Sequence, residues 1–324
     1  MTDLLVIGAG PSGLACALEA HRQGISAIVL DKGGIADAIR RFPTNLVWFS
    51  TPELLEIGDV PFLISTVRPT RVDTLNYYIR VVRQCDLDVR TGEEVVAVEK
   101  RDGKVFVVRT APGAVYEARC VVIATGYFDH PARLDVAGEE LPHVRHYYDE
   151  PFRYAGCDVA VIGGRNSAVE AALDLYRHGA RVTLIHRGPA LSPGVKYWIL
   201  PDIENRIKAG QITALFGTTV KAIDRHNICV DTAGAERSIR ANFVIVQIGY
   251  APDAALLRGI GIDVDSETLA PACDPGSFET NIPGLFVAGS VVAGKNTNRI
   301  FVENGRQHGK PIVDAVAGYR RRFP

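Results

Sequence analysis

The 324-residue chain has no Cys-x-x-Cys pair. Its six cysteines, Cys16, Cys85, Cys120, Cys157, Cys229 and Cys273, are scattered, which argues against a dithiol redox motif and against a metal site built from close ligands. Each reads as a small buried apolar residue or a surface thiol. An excess of either charge is missing as well. Lys plus Arg number 36 and Asp plus Glu 37, for a formal net charge of -1. No bulk nucleic-acid or membrane partner is expected, although a local basic patch could still receive an anionic substrate. No apolar run is long enough to span a bilayer. Only three residues precede the run Leu4-Leu5-Val6-Ile7, which leaves no room for a signal peptide and makes a cytoplasmic enzyme the expectation.

What is present is a repeated unit. With 47% hydrophobic and 23% charged residues, the composition is that of a globular protein, and the length suits two domains. Leu4 to Ile7 reads as a buried strand, followed by Gly8-Ala9-Gly10-Pro11-Ser12-Gly13, a helix over Leu14 to Gln23, and a strand Ala27 to Leu30 closed by Asp31. The pattern recurs at Val159 to Ile162, Gly163-Gly164-Arg165-Asn166-Ser167-Ala168, a helix over Val169 to His178, and a strand Arg181 to Ile185. A hairpin is expected from Glu94 to Thr110 around Asp102-Gly103. Buried strands at Val121 to Ala124, Phe243 to Ile248 and Leu285 to Ala288 each run into glycine. The expected fold is α/β, with two Rossmann-like dinucleotide-binding domains, the second inserted into the first. Residues 1–127 and 248–324 would form the outer domain and residues 128–247 the inner one.

The first loop fits Gly-x-Gly-x-x-Gly. Gly8 allows the tight turn, Gly10 lets a pyrophosphate approach the backbone, and Gly13 allows close helix–strand contact. Pro11 is tolerated where a helix needs no N–H partner. The helix start offers free N–H groups to phosphate, and Asp31 is placed to accept hydrogen bonds from a ribose diol. The loop alone does not distinguish FAD from NAD. The later stretch ending in Gly289 and Ser290, with a helix expected near Ile300 and Phe301, points to a second contact with a large cofactor and favours FAD.

The second loop is looser. Gly163, Gly164, Asn166 and Ser167 precede Ala168, which replaces the third glycine. No acid closes the next strand; His186 and Arg187 stand there instead. A guanidinium can hold a 2′-phosphate that a carboxylate would repel, so NADPH is favoured over NADH.

Longer stretches carry a family resemblance: Phe42-Pro43-Thr44 with Phe49-Ser50-Thr51, Glu56 to Pro61, Ala124-Thr125-Gly126-Tyr127-Phe128, Gly163 to Ala172, Val195 to Asn205 and Thr297 to Gly305. They span nearly the whole chain. On them the chain resembles the thioredoxin-reductase-like flavoproteins, and among these the YpdA-type bacillithiol disulfide reductases. The resemblance implies FAD in the outer domain, NADPH in the inner one, a homodimer, and reduction of a low-molecular-weight thiol disulfide. By resemblance, Thr44, Phe49, Ser50 and Thr51 form a flavin-facing loop, Thr125 and Gly126 approach the cofactor, and Lys196 belongs to the nicotinamide or substrate entrance.

Two positions depart from the family pattern. The family carries a proposed redox cysteine in the first loop, where this chain has Ser12. Serine cannot form a mixed disulfide. Cys16 lies one helical turn further on, but a packed core residue is its simpler reading. Ser290 stands where related flavoproteins usually carry aspartate. Electrons would then pass directly from flavin to a disulfide such as bacillithiol disulfide, or the acceptor differs. Ferredoxin, a protein thiol, and a non-catalytic nucleotide-binding redox sensor remain the alternatives.

Overall fold

A computed structural model describes residues 1–322. The chain divides into two units. The first comprises Met1–Arg41, Asn45–His130 and the chain from Tyr250 onward; the second comprises Phe42–Thr44 and Pro131–Gly249. The long crossings fall at 130/131 and 249/250, a little beyond the boundaries read from sequence. Phe323 and Pro324, the end of the expected outer domain, lie outside the described residues.

The first unit is built on a seven-stranded sheet. Its parallel centre runs Asp88–Thr91, Ala27–Asp31, Thr2–Ile7, Val115–Ile123 and Leu285–Val287. Leu4, Leu5 and Val6 are fully buried, as befits a parallel strand covered on both faces. Val115–Ile123 serves two partners along one edge. Its first half pairs antiparallel with Val105–Thr110, and its last residues pair with Leu285–Val287. The hairpin Val95–Arg101 to Val105–Thr110 turns at Asp102 and Gly103, both at positive φ (51° and 66°), the backbone that matches strand twist.

The first helix is Pro11–Arg22, three residues longer at its start than the sequence suggested, because Pro11, Ser12 and Gly13 already form its first turn. It packs closely on the last helix, Gly309–Arg322. A Cβ on Gly309 would stand 2.8 Å from the Ala15 carbonyl oxygen. The short helix Val302–Gly305 precedes it, with an extended Phe301 as N-cap, so helical geometry begins two residues after Ile300.

The second unit has a five-stranded parallel sheet in the order Thr213–Leu215, Arg181–Ile185, Asp158–Ile162, Phe243–Val246, Val144–Arg145. Alternation along Asp158–Ile162 sorts its two faces. Val159 and Val161 pack with Ala168, Ala172 and Leu175 of helix Asn166–Arg177. Ala160 and Ile162 pack with Ile223, Ile228 and Val230 of an antiparallel three-stranded sheet. Among the described residues, no helix is long and apolar enough to cross a membrane.

Candidate functional site

In the first unit, a cleft opens where Thr2–Ile7, Ala27–Asp31 and Val115–Ile123 end. The carboxyl ends of parallel strands are where such sheets receive ligands. The glycine loop forms one wall, and each glycine has a separate reason. Gly8 sits at φ 113°, and a Cβ there would stand 2.4 Å from the Ala124 carbonyl oxygen. A Cβ on Gly13 would stand 2.0 Å from the Gly8 oxygen, so the helix could not approach the strand with any larger residue. Gly10 has open space beside it and lines the cleft with Pro11 and Ser12. No side chain caps helix Pro11–Arg22, which leaves its first N–H groups to a bound anion.

The Gly8 N–H donates to the Leu30 oxygen at 2.7 Å. Ala9 N–H donates to Asp31 Oδ2 at 2.7 Å, and Gly33 N–H to Asp31 Oδ1 at 2.8 Å. Asp31 therefore holds the loop as well as lining the cleft. Burial pushes its carboxyl above the ordinary range, and these two donors pull against that shift. Beside it, Asp129 pairs with Lys32 at 3.1 Å and with Arg41, which also holds Asp37 at 2.9 Å. Thr125, Gly126, Gly289 and Ser290 complete the opposite wall.

Other residues read as cofactor-binding stand outside the cleft wall. Thr44 groups with the second unit, where its N–H donates to the Asp149 oxygen at 2.7 Å. Ser50 is buried and donates to Glu303. Thr51 is the N-cap of the short helix Pro52–Leu55. Phe49 and Phe301 meet edge to face, with ring centroids 6.2 Å apart. Ile300 packs toward Gly305, where a Cβ would stand 3.2 Å from its Cγ2. Cys16 is wholly buried in the helix core, away from the cleft, and burial pushes its thiol up to about 12. Such a thiol is not a nucleophile near neutral pH.

Two contributors escaped the sequence reading. Glu93 lines the cleft beside Asp31. His308 is buried, stacks on Phe278 at 4.0 Å, and accepts the Gly289 N–H on Nδ1 at 3.2 Å. An acid just past a strand end could have flagged Glu93. No local signal flags His308, whose partner is nineteen residues away.

The second unit repeats the loop. The Gly163 N–H donates to the Ile185 oxygen at 2.9 Å, as Gly8 does to Leu30. A Cβ on Gly163 would strike both the Gln247 oxygen (2.3 Å) and Ala168 Cβ (2.8 Å). Ala168 is fully buried, filling the third-glycine position, and Ser167 is exposed at the helix start. The His186 ring fills the space beside two glycines: Cβ atoms on Gly164 and Gly188 would fall 2.5 and 2.6 Å from it. Burial, then the charges of Arg187 and Arg165, hold the His186 imidazole below its ordinary pKa. Arg187 is exposed beyond it. The Asn166 side chain accepts the Lys196 N–H at 2.9 Å and donates to the Gly194 oxygen at 3.1 Å, and Lys196 Nζ meets Glu170 at 2.7 Å. The loop thus fixes the segment that bears exposed Tyr197 and Trp198.

Comparison with known proteins identifies the family and the fold. Residues 5–289 match the family model described as pyridine nucleotide-disulphide oxidoreductase. The chain is 41% identical over 314 residues to the bacilliredoxin reductase Bdr of Bacillus subtilis, covering 97% of each. The structure of bacillithiol disulfide reductase Bdr (YpdA) from Bacillus cereus superimposes with a TM-score of 0.95 at 42% identity, over 98% of this chain and 99% of that one. Thioredoxin reductase from T. acidophilum shares the fold, with a TM-score of 0.79 at 21% identity, over 100% of this chain and 99% of that one.

Proposed function

The chain belongs to the pyridine nucleotide-disulphide oxidoreductase family, and from that premise we propose that it is an FAD-containing, NADPH-dependent reductase of a low-molecular-weight thiol disulfide, with bacillithiol disulfide as the substrate. The observation that carries this reading is the pair of glycine loops with opposite strand-end chemistry: an acid, Asp31, in one unit, and a base pair, His186 and Arg187, in the other. The first suits a cofactor with a free ribose diol, the second a 2′-phosphate. When bound, FAD supplies a two-electron carrier between NADPH and a disulfide. The net reaction is NADPH, a proton and the disulfide giving NADP⁺ and two thiols.

The chain's own residues supply position and electrostatics. Gly10 and the start of helix Pro11–Arg22 receive the pyrophosphate, and Asp31 fixes the loop that presents them. In the second unit, Asn166 and Lys196 set the rim of the nucleotide site. Among the described residues no cysteine lines the first cleft, which supports reduction of the substrate disulfide without a protein thiol relay.

The name of the B. subtilis relative favours one second reading, in which a small protein such as a bacilliredoxin is the direct acceptor. The test is anaerobic reduction of the purified yellow protein by NADPH and then NADH, followed by turnover with bacillithiol disulfide, an oxidised bacilliredoxin and ferredoxin. Bleaching by NADPH and turnover of the small disulfide are expected. A colourless protein, or turnover with ferredoxin alone, would defeat the reading.

A homodimer is proposed as well. Val47, Leu54, Leu63, Val67 and Val72 are exposed in one stretch of the first unit, and Leu46 to Trp48 pairs with Pro69 to Arg71. Exposed apolar side chains of this kind are what a two-fold dimer would cover. A reductase drawing on a nicotinamide pool works in a reducing compartment, so the cytoplasm is the proposed location.

A further inference from the structure

Glu93 follows the edge strand Asp88–Thr91, which pairs with Ala27–Asp31. Its N–H donates to the Asp31 carbonyl oxygen at 2.9 Å, and Gly92 N–H donates to Gly33 at 3.2 Å. These bonds set the two acids side by side in the cleft wall. Their oxygens differ. Each Asp31 oxygen already holds one backbone N–H. Glu93 Oε2 is buried with no hydrogen-bond partner among the described residues. A buried acceptor left unmet is costly, so native structures keep few without a reason. The cations lining this cleft are engaged elsewhere, Lys32 with Asp129 and Arg41 with Asp37 and Asp129. A donor group on a ligand bound in this cleft would meet the open Oε2.

The loop fixes which group. Phosphates belong at Gly10 and the helix start, and they carry no donor at neutral pH. Asp31 and Glu93 stand one strand further along the sheet edge, where the adenosine ribose of a dinucleotide offers two hydroxyl donors.

We propose that Glu93 is a second acidic reader of the adenosine ribose, accepting one hydroxyl on Oε2 while Asp31 accepts the other, so that this cleft takes a dinucleotide with a free diol and rejects a 2′-phosphorylated one. The proposal rests on the assignment of FAD to the first unit. It adds a sorting role to that assignment: two carboxylates in one unit and His186 with Arg187 in the other keep the two cofactors in their own sites.

The test removes flavin from the 324-residue chain and titrates it with FAD and with FMN, which has no adenosine. For Glu93→Ala, the FAD dissociation constant is expected to rise about 10- to 100-fold while that for FMN stays within about twofold. Glu93→Gln keeps the size and one acceptor oxygen, so it should lose less, and it carries the comparison if the alanine variant misfolds. Competition against FAD by ADP-ribose and by 2′-phospho-ADP-ribose should show strong preference for the first in the parent and a reduced preference in Glu93→Gln. Unchanged FAD affinity in both variants, or equal losses for FAD and FMN, overturns the proposal. A parent chain that binds no FAD at all overturns the cofactor assignment itself, which is a separate result.

Discussion

Ser12 occupies the space that a side chain on Gly289 would need: a Cβ there would stand 2.6 Å from Ser12 Oγ and 2.8 Å from Ser12 Cβ. A Cβ on Gly305 would come within 2.9 Å of the same hydroxyl. The backbone at Gly289 and at Gly305 thus packs closely around one small residue. Gly289 also sits at φ 73°, where side chains are strained. Gly289→Ala is expected to lower stability by about 1–3 kcal/mol and to speed flavin loss. Adding Ser12→Gly should recover the part due to the clash and leave the backbone part. Thermal melts of the parent, single and double variants check this. An alanine variant as stable as the parent would show that the loop relaxes freely.

The same packing bears on chemistry. If electrons reach the disulfide without a thiol in the first loop, the Ser12 hydroxyl has no redox role. Ser12→Ala should then keep more than about half of the parent kcat with bacillithiol disulfide, since no bond-making step is lost. Ser12→Cys should give no more than about a twofold gain. Both are read by NADPH consumption under anaerobic conditions. A large gain in the cysteine variant would mean that this position limits turnover.

His308 links stability to pH. Its imidazole is buried, accepts the Gly289 N–H, and is held down at about 4, mainly by desolvation. In the unfolded chain a histidine titrates near about 6.5. The folded pKa lies below the unfolded one, so the unfolded state binds more protons between these values. Its contribution is fully present above about pH 6.5 and is lost as pH falls toward 4. The loss between about pH 7.5 and pH 5 is about 2 kcal/mol. Denaturant unfolding of the parent and of His308→Gln should show this slope in the parent and a flatter one in the variant. Parallel slopes would place the acid sensitivity elsewhere.

Much of this site could be read from sequence where a residue type has only one physical use. Gly8 and Gly13 are glycine because a Cβ would strike backbone within 2.4 Å, and such constraints survive as sequence pattern. The alternating faces of Asp158–Ile162 and the Asp102-Gly103 turn are equally local. Glu93 was hidden because its meaning comes from an edge strand that pairs with a segment about sixty residues earlier. His308 was hidden because nothing in its helix predicts a bond to Gly289. Phe49 and Ser50 were assigned by resemblance and Phe301 from the expected helix start; Phe49 meets Phe301 edge to face and Ser50 bonds Glu303, and none of the three lines the cleft wall.

Coenzyme choice should depend on Arg187 more than on its neighbour. The His186 ring is wedged beside Gly164 and Gly188, and burial keeps it below its ordinary pKa, so near neutrality it is mostly uncharged. It gives the subsite shape and one ring N–H. On the proposed use of NADPH, the charge offered to its 2′-phosphate comes from Arg187, which is exposed and free of any neighbouring acid in strand Arg181–Ile185. Arg187→Ala should raise KM for NADPH by about 10- to 100-fold and change that for NADH by less than about twofold. Added salt should weaken NADPH binding in the parent and have little further effect in the variant, because the lost contact is the one that ions screen. Steady-state kinetics with both coenzymes at two ionic strengths measures all of this. Equal effects on NADPH and NADH would mean that Arg187 only supports the fold of the strand end, and the 2′-phosphate would have to be read by another residue.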